Sequence, residues 1–481
     1  MTDDPLAQLR ATEGEKDRDW ISLQFVLGHL EPKTQEAVFA AAVPHWFDFE
    51  ILSALVGKSF NLTKKAFKAL TSLSFVEAFP ERGYNIHEST RALILRRLST
   101  NAPELLTKYS KEAAAYFHSK QKLADPWLIE AIYHSTVAGD LSYSSLMYYG
   151  HNFQNKYKYG QTETLCRTLL EGSHFLKLPK DILAVCHYLL GSTYVYFGKT
   201  RPAKLAARTA LSFKVKDNYF NALCWWKLAE IEYALDERKL AIRHLNRALL
   251  LLNQVGDDNA KGDCLLSMGY VLLVEGEYKK AISSAKSALR LFKKIQILGG
   301  VANCYCFLGL AALGQKRLKL AADRYNKALE YSKEAHETAI SIAASIGLAE
   351  VELKRGNFAS ARKLLKRSLR RAEQINFASY YAKAVLVEAA LEYALGRYDE
   401  SKSKALKAAR LFEQMEDHHQ ESDAWLVLVN VYKAKNELEK ALDCSVKAQR
   451  LFEIANKKSA TFFTNQISEL KTALRLKKKT K

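Results

Sequence analysis

One spacing constrains this chain more than any other feature: small residues return about every 40 positions through its C-terminal part. The series is Ala203, Ala241, Ala281, Ala321, Ala361, Ser401 and Ala441, with a first interval of 38 residues and five intervals of 40. A further small residue follows each member seven positions later. Two helices approach closely only where the side chains at their crossing are small. Each unit is therefore predicted to be a helical hairpin.

The turn inside each predicted hairpin has its own signature. Five residues before each member of the series stand Gly198, Asp236, Gly276, Lys316, Gly356, Gly396 and Asn436. Gly, Asn and Asp tolerate the left-handed conformation that ends many helices. Lys316 departs from this set, with Gly314 two residues earlier, and we expect its turn to differ slightly. Stacked hairpins of this kind form a mainly α fold, an α-solenoid.

Larger residues at fixed positions give the repeat a family likeness. They include Trp225 and Trp425 early in the first helix, Leu190–Gly191, Leu308–Gly309, and the Gly–Xaa–Tyr of 276–278 and 396–398. This pattern resembles the tetratricopeptide repeat, although the usual closing proline is absent and the period exceeds the common one of about 34 residues. The resemblance implies a right-handed superhelix of seven repeats over 181–458. Degenerate hairpins are expected at 121–180. At 459–481 we expect a capping helix followed by a basic tail, with an apolar stripe made of Phe462, Phe463, Ile467, Leu470 and Leu474.

The resemblance also implies a binding groove. In that family the first helix of each pair lines a curved groove that commonly binds a peptide or helix of another protein. The residues at that register are Trp226, Glu230, Tyr233, Asp263, Tyr270, Asn303, Glu350, Lys383, Tyr393, Asp423 and Asn430. The repeat has no chemistry of its own, and no nucleophile–base or paired-carboxylate constellation stands out. We therefore expect no enzyme activity and no cofactor.

The cysteines fit the repeat rather than a metal site. Cys186, Cys224, Cys264 and Cys304 occupy one repeat position, which Ala344, Ala384 and Ala424 hold in other units. Cysteine behaves there as a small buried apolar residue. The spacing of Cys304 and Cys306 is one residue short of a CxxC pair, so no zinc site is predicted.

The N-terminal part has a different rhythm, and residues 1–19 are expected to be disordered. Helices are predicted at 21–30, 34–42, 46–57 with Asp48 as cap, and 62–73. A β-hairpin of 74–79 and 84–87 follows, and then a helix at 88–98. The stretches EAVFAAAVPHWFDFEILSALVG, FKALTSLSFVEAF and GYNIHESTRALILRRL resemble the winged-helix module of STAND-type signal-transduction ATPases, over 20–120.

That second resemblance gives one histidine a conditional role. His87 and Glu88 match the family's His–acid element, whose histidine can contact the bound diphosphate. The ATPase domain that normally precedes the module is not found before residue 20, so this contact needs a separate ATPase chain. Alternatively, His87 only fixes the wing to the next helix. Gly57–Lys58–Ser59 resembles the end of a phosphate loop, but Leu52 stands where the first glycine belongs.

Charge leaves two functions open. The net charge is +20, and the first 120 residues balance 15 basic against 15 acidic side chains, so the excess lies in the repeats. A solvated basic surface is favoured over a specific acidic ligand. The leading hypothesis is a cytoplasmic, non-catalytic protein-interaction scaffold or sensor, acting with a separate signalling ATPase and without a membrane partner. The alternative is a nucleic-acid-binding transcriptional regulator that uses the basic array and the winged helix, with Lys64, Lys65 and Lys68 on its recognition helix.

Overall fold

The computed structural model describes residues 15–57, 60–120, 125–456 and 461–479. The chain divides into two compact units, 1–189 and 190–481. The division falls inside a helix, Lys180–Tyr196, which begins in the first unit and ends in the second. The predicted disordered segment 1–19 lies mostly outside the described residues, but Glu15 already belongs to the first described helix.

The first unit contains helices and one β-hairpin. Its first described elements are four helices, α1 (Glu15–Gly28), α2 (Pro32–Ala41), α3 (Phe49–Val56) and α4 (Lys64–Thr71). The strands β1 (Val76–Phe79) and β2 (Gly83–Ile86) follow, and then come α5 (Glu88–Asn101), α6 (Pro103–Lys120), α7 (Asp125–Val137), α8 (Tyr143–Asn155) and α9 (Tyr159–Gly172). The order of helices, hairpin and closing helix predicted for 20–98 is thus present. Whether these elements form a STAND-type winged helix stays a prediction.

Local chemistry explains these boundaries. The Asp48 carboxylate accepts a hydrogen bond from the Ile51 amide at 2.7 Å, as the predicted cap of α3 requires. The two strands are antiparallel, with Val76 opposite Ile86. Gly83 opens β2 at φ +98°, and a Cβ there would lie 2.5 Å from the Phe47 carbonyl oxygen. Only glycine allows this close approach. Lys58 and Ser59 of the apparent phosphate-loop fragment lie outside the described residues.

The second unit is a stack of helical hairpins. After α10 (Lys180–Tyr196) and α11 (Thr200–Ser212), six first helices alternate with six second helices. The first helices are α12 (Asn218–Ala234), α14 (Asp258–Val274), α16 (Leu298–Gly314), α18 (Thr338–Lys354), α20 (Ala378–Ala394) and α22 (His418–Ala434). The second helices are α13 (Arg238–Val255), α15 (Tyr278–Lys294), α17 (Leu318–Glu334), α19 (Phe358–Gln374), α21 (Tyr398–Gln414) and α23 (Leu438–Asn456). The last described helix is α24 (Thr461–Lys479).

Every hairpin turn adopts the left-handed conformation predicted from its sequence. All seven turn positions have φ between 58° and 80°. The expectation that Lys316 marks a different turn is wrong, because its φ of 60° matches that of Asp236 and Asn436. The turn geometry is set by the packing of two helices of fixed length, and it is kept even where a lysine must adopt it.

Small residues in the first helices accept large rings from the second helices. Phe292 of α15 is fully buried, and its ring occupies the space that side chains at Gly262 and Gly300 would fill. A Cβ at Gly300 would lie only 2.3 Å from this ring. Tyr325 of α17 lies in the same way against Gly309 and Gly347. The small residues of the predicted series, from Ala203 to Ala441, are themselves fully buried, as close packing requires. At the glycines named here, rings of the second helices fill the space.

The C-terminal helix covers the last hairpin with one face. Phe463, Ile467 and Leu470 are buried, as predicted for a cap. Phe462 was predicted on the same stripe, but it is 62% exposed. Neighbouring residues of a helix point about 100° apart, so Phe462 and Phe463 cannot both face the core. The predicted basic tail lies only partly within the described residues.

The superhelix closes on itself through what we call the seam. The Tyr196 hydroxyl donates a hydrogen bond to the Ile375 carbonyl oxygen, and the Tyr196 and Phe377 rings lie 4.7 Å apart. Arg201 forms an ion pair with Glu416 at 3.1 Å. Partners separated by about 180 to 215 residues thus meet. The repeats between these partners complete one turn of the superhelix. Its concave side therefore becomes the wall of an interior space.

Candidate binding cavity of the repeat array

A cavity of about 470 Å³ lies inside the superhelix. Five consecutive first helices, from α12 to α20, supply most of its lining. The wall combines aliphatic groups with four tyrosines, Tyr233, Tyr270, Tyr325 and Tyr380, and with the charged side chains Glu230, Glu350 and Lys383. A mainly apolar wall with a few polar groups is typical of ligand pockets of about 300–1,000 Å³.

A hydrogen-bonded network joins the polar residues of two first helices. The Trp226 indole N–H donates to the Ser267 hydroxyl at 2.9 Å, and Ser267 donates to Glu230 Oε1 at 3.1 Å. Lys227 Nζ donates to the other oxygen of Glu230 at 2.7 Å. Glu230 is therefore held in one orientation toward the cavity, with both carboxylate oxygens engaged.

Asp263 lies beside this network under unfavourable electrostatics. Burial, and then the Glu230 carboxylate, raise the pKa of Asp263 to about 7. Lys227 opposes this shift, but it is already paired with Glu230. A carboxyl group with a raised pKa therefore lies next to the Glu230 network, although Asp263 itself lines neither cavity.

A second cavity of about 780 Å³ shares Tyr233, Leu310, Glu350 and Lys383 with the first. It extends toward the turn after α12 and toward α22, where Asp236, Asp417 and Asp423 line it. Burial raises the pKa of Asp236 and of Asp417. Lys383 Nζ donates to Gln420 Oε1 at 2.7 Å and so links α20 to α22.

The cavities contain most of the groove residues predicted from the repeat register. Glu230, Tyr233, Tyr270, Asn303, Glu350 and Lys383 line the smaller cavity, and Asp423 lines the larger one. Trp226 belongs to the Glu230 network through its hydrogen bond to Ser267, and Asp263 lies close enough for the Glu230 charge to raise its pKa. Tyr393 and Asn430 line neither cavity: Tyr393 lies 5.8 Å from Tyr398, ring to ring, and Asn430 is exposed. As binding residues, all eleven remain predictions.

Sequence reasoning missed Tyr325, because it lies on a second helix and the register considered only first helices. Its ring reaches the cavity through the space left by Gly309 and Gly347. The two glycines could have indicated this residue. Gly309 of α16 and Gly347 of α18 leave space between neighbouring first helices, and a large side chain of a second helix fills it. Asp236, Asp417 and His419 were missed because only closure of the superhelix brings them together.

His87 lies outside the repeat array, on the hairpin of the first unit. Its Nε2 is 3.5 Å from Glu77 Oε2 of β1, and both side chains are about half exposed. Its ring makes no capping hydrogen bond to α5. The side chain is thus accessible, and a nucleotide contact stays a prediction.

The first unit also contains a buried charged cluster that the sequence did not reveal. Glu130 is 3% exposed and lies 2.7 Å from His45 Nδ1 and 3.3 Å from His134 Nε2. Burial alone would raise the pKa of Glu130, but the histidines outweigh it and hold the pKa well below its usual range. Burial lowers the pKa of His134. The cluster joins α7 to the segment before α3.

The cysteines have the structural role that their repeat position predicts. All seven are free and buried, and burial raises the thiol pKa of Cys224, Cys264 and Cys304. Among the described residues, no group of three or more His, Cys, Asp or Glu could hold a metal ion. None of the helices in the described ranges is long and apolar enough to cross a bilayer.

Family comparisons agree with this geometry. Residues 271–477 match the model of the MalT-like TPR region, and residues 221–294 match a tetratricopeptide-repeat model. The repeat array is a tetratricopeptide-repeat region. The two matched ranges contain every residue that lines the two cavities except Val195 of α10, although the period of 40 residues exceeds that of the common repeat.

Solved structures share the fold at low sequence identity. A STAND protein with a tetratricopeptide-repeat sensor from Pyrococcus horikoshii is 13% identical, with a TM-score of 0.51 over 94% of this chain and 68% of that one. The Rap conjugation gene regulator of plasmid pLS20, solved with the Phr* peptide, is 14% identical, with a TM-score of 0.50 over 65% of this chain and 97% of that one. At these identities the likeness concerns the fold alone. Among curated proteins, none matches the chain.

Proposed function

We propose that this protein is a non-catalytic regulator that binds a peptide or an extended protein segment in the cavity of its tetratricopeptide superhelix. The observation that supports this most is the 470 Å³ cavity itself, lined by five consecutive first helices with tyrosines and oriented polar groups. Tyrosines supply apolar contact area and a hydroxyl at little entropic cost, as binding surfaces require. The Rap regulator with a similar fold was solved with a peptide bound.

The chemistry of the wall favours a ligand with both apolar and polar parts. Glu230 is fixed by Ser267 and Lys227, so it presents a preorganised acceptor and costs little entropy on binding. Asn303 adds donors and an acceptor in the same cavity. An extended peptide meets these groups with its backbone, and its side chains fill the space between the tyrosines.

A cavity-filling substitution tests this proposal. Ala343 of α18 lines the cavity and is half-buried, so Ala343→Trp should occupy the binding space. The matched control is Ala359→Trp on α19, where the alanine is exposed. Peptides selected from a random display library on the unmodified protein would be titrated by calorimetry into all three proteins. We expect Ala343→Trp to weaken binding at least about 100-fold and Ala359→Trp to change it less than about threefold.

Two results would contradict a peptide site in the cavity. One is selection of no peptide tighter than about 100 μM from a library of high diversity. The other is equal affinity of the selected peptides for Ala343→Trp and the unmodified protein, with circular dichroism showing that both keep their helices.

We further propose that the first unit works with a separate signalling ATPase. Support comes from the sequence likeness of 20–120 to the STAND winged helix and from the accessible His87. Cytoplasmic location follows from this proposal. Co-purification from native lysate in ATP, ADP and nucleotide-free buffers should recover such an ATPase, and His87→Ala should abolish the ADP dependence of its recovery. His29→Ala, an exposed histidine of the same unit, is the control. Recovery of no ATPase in any buffer would rule the proposal out.

A further inference from the structure

The charge of the repeat array is divided between its two helix layers. The six first helices from α12 to α22 carry 5 Lys and Arg against 10 Asp and Glu. The six second helices from α13 to α23 carry 27 Lys and Arg against 10 Asp and Glu. The second helices therefore hold almost all of the net charge of +20.

Two second helices hold much of this excess. Helix α15 has six basic residues and no acidic one, and α19 has six basic residues and one acidic one. By contrast, α17, α21 and α23 each carry three acidic residues. The net positive charge is thus largest on α15 and α19, and smaller on α13, which has four basic residues and no acidic one.

Four of the six basic side chains on each of these helices are exposed and not paired with a carboxylate. On α15 these four are Lys279, Lys286, Arg290 and Lys293, and on α19 they are Lys363, Lys366, Arg367 and Arg370. We call these eight residues the outer basic face. Within the described ranges, none of the eight forms an ion pair with a carboxylate, whereas Lys280 and Lys294 of α15 do pair, with Glu277 and Asp258.

We propose that the outer basic face binds the phosphate backbone of nucleic acid. Backbone phosphates are contacted mainly by Lys and Arg, and each neutralised phosphate releases counterions. No exposed large apolar side chain of the described residues lies on α15 or α19. Protein interfaces need aromatic or aliphatic anchors and are poor in Lys, and membrane-surface helices need an apolar face. Charge without anchors therefore favours nucleic acid over an acidic protein or a lipid surface.

The sequence suggested a nucleic-acid site on the basic array together with the winged helix, and the proposed site needs only two helices of the array. The winged-helix alternative relied on Lys64, Lys65 and Lys68, but Lys65 is paired with Glu31 at 2.8 Å. The outer basic face lies on second helices, while the cavity is lined mostly by first helices. Binding of nucleic acid to the outer basic face therefore does not depend on the proposed peptide ligand. Ala343→Trp should therefore leave nucleic-acid affinity unchanged.

Charge-matched variants of the full chain test the proposal. One variant carries Lys279→Gln, Lys286→Gln, Arg290→Gln and Lys293→Gln, and another carries Lys363→Gln, Lys366→Gln, Arg367→Gln and Arg370→Gln. The control carries Lys319→Gln, Lys333→Gln, Arg410→Gln and Arg450→Gln, which are exposed residues on the helices with mixed charge. All three lose four positive charges, so a pure effect of net charge would be equal in each.

Binding of a labelled 30-base-pair DNA duplex and of single-stranded RNA would be measured by fluorescence anisotropy between about 50 and 200 mM salt. Each lost contact to a DNA phosphate makes the slope of log K against log salt less steep by about 0.9. The slope of the α15 variant or of the α19 variant should therefore become less steep by up to about 3.6. The affinity of either variant at the lowest salt should fall at least about tenfold. The control should lose less than about threefold. A preference between the two probes shows which nucleic acid is recognised.

Three results would overturn the proposal. The first is no binding of the unmodified protein to either probe at the lowest salt. The second is a loss in the control as large as in the α15 and α19 variants, with helical content unchanged by circular dichroism. The third is binding of polyglutamate or of anionic lipid vesicles more tightly than of DNA and RNA, with the same dependence on the outer basic face.

Discussion

The first and second helices of the repeat array are of similar length but have opposite surroundings. From α14 to α20 each first helix has 17 residues, and each packs against the first helices before and after it as well as against second helices. Buried residues therefore surround these helices on several sides. The second helices bury one stripe, such as Ala281, Ala285, Ala288 and Phe292 of α15, and expose the rest.

This difference in packing decides where we expect peptide binding and where we expect nucleic-acid binding. A helix packed on several sides has few positions left for polar residues, and on the first helices five of these residues line the smaller cavity: Glu230, Ser267, Asn303, Glu350 and Lys383. A helix packed on one side can carry many charges at little cost to stability. The fold thus separates a small preorganised site from a broad electrostatic surface. The predictions below test that separation, from the largest expected effect to the smallest.

The largest effect should come from the ring that joins the two layers. Phe292 belongs to a second helix but fills the space beside Gly262 and Gly300. Phe292→Ala should lower the free energy of unfolding by about 3–5 kcal/mol, because it leaves a cavity between the layers. Arg290→Ala, two residues away on the exposed face, should change it by less than about 0.5 kcal/mol. Urea titration followed by circular dichroism measures both. Similar losses in the two variants would refute the division into layers.

A first-helix carboxyl group should make stability depend on pH. The pKa of Asp263 is about 7 in the folded protein and near 3.9 in an unfolded chain. The folded state therefore holds the proton more tightly, so stability falls as pH rises from about 4 to 7. At pH 8, Asp263→Asn should raise the free energy of unfolding by as much as about 4 kcal/mol, and at pH 4 it should have little effect.

The comparison for Asp263 is an aspartate of the other layer. Asp443→Asn on α23 replaces an exposed side chain, and its effect should stay within about 0.5 kcal/mol at both values of pH. Unfolding curves at several values of pH, for both variants and the unmodified protein, give the differences directly. An equal pH dependence of Asp263→Asn and the unmodified protein would show that Asp263 is well solvated.

Much of this fold follows from local sequence rules, and the closure of the superhelix does not. The period of small residues predicted every hairpin from α12 to α23, and Asp48 predicted the cap of α3. Seven of the eleven expected groove residues line a cavity because first helices face inward in every repeat. The seam depends on the small rotation between successive hairpins, summed over several repeats. No single residue encodes that sum, so the contact of Tyr196 with Phe377 could not be predicted.

The seam gives a smaller, graded effect. Tyr196 is 4% exposed and loses both its ring contact and its hydrogen bond in Tyr196→Ala, which should cost about 3 kcal/mol. Tyr196→Phe keeps the ring against Phe377 and should cost about 1 kcal/mol. Small-angle scattering should show a larger radius of gyration for Tyr196→Ala alone. If both variants lost equal stability with no change in radius, the ring contact would not hold the superhelix closed.

The smallest effect concerns the turns that join the two layers. Lys316 adopts φ 60° where the equivalent Gly276 adopts 80°. A residue with a Cβ is strained in this conformation by about 1–2 kcal/mol, whereas glycine loses more backbone entropy on folding. Lys316→Gly should therefore raise the free energy of unfolding by about 0.5–1 kcal/mol, and Gly276→Lys should lower it by a similar amount, both measured by urea titration. Loss of stability in Lys316→Gly would mean that the lysine side chain makes contacts worth more than the strain. The turns would then differ between repeats in energy although they share one geometry.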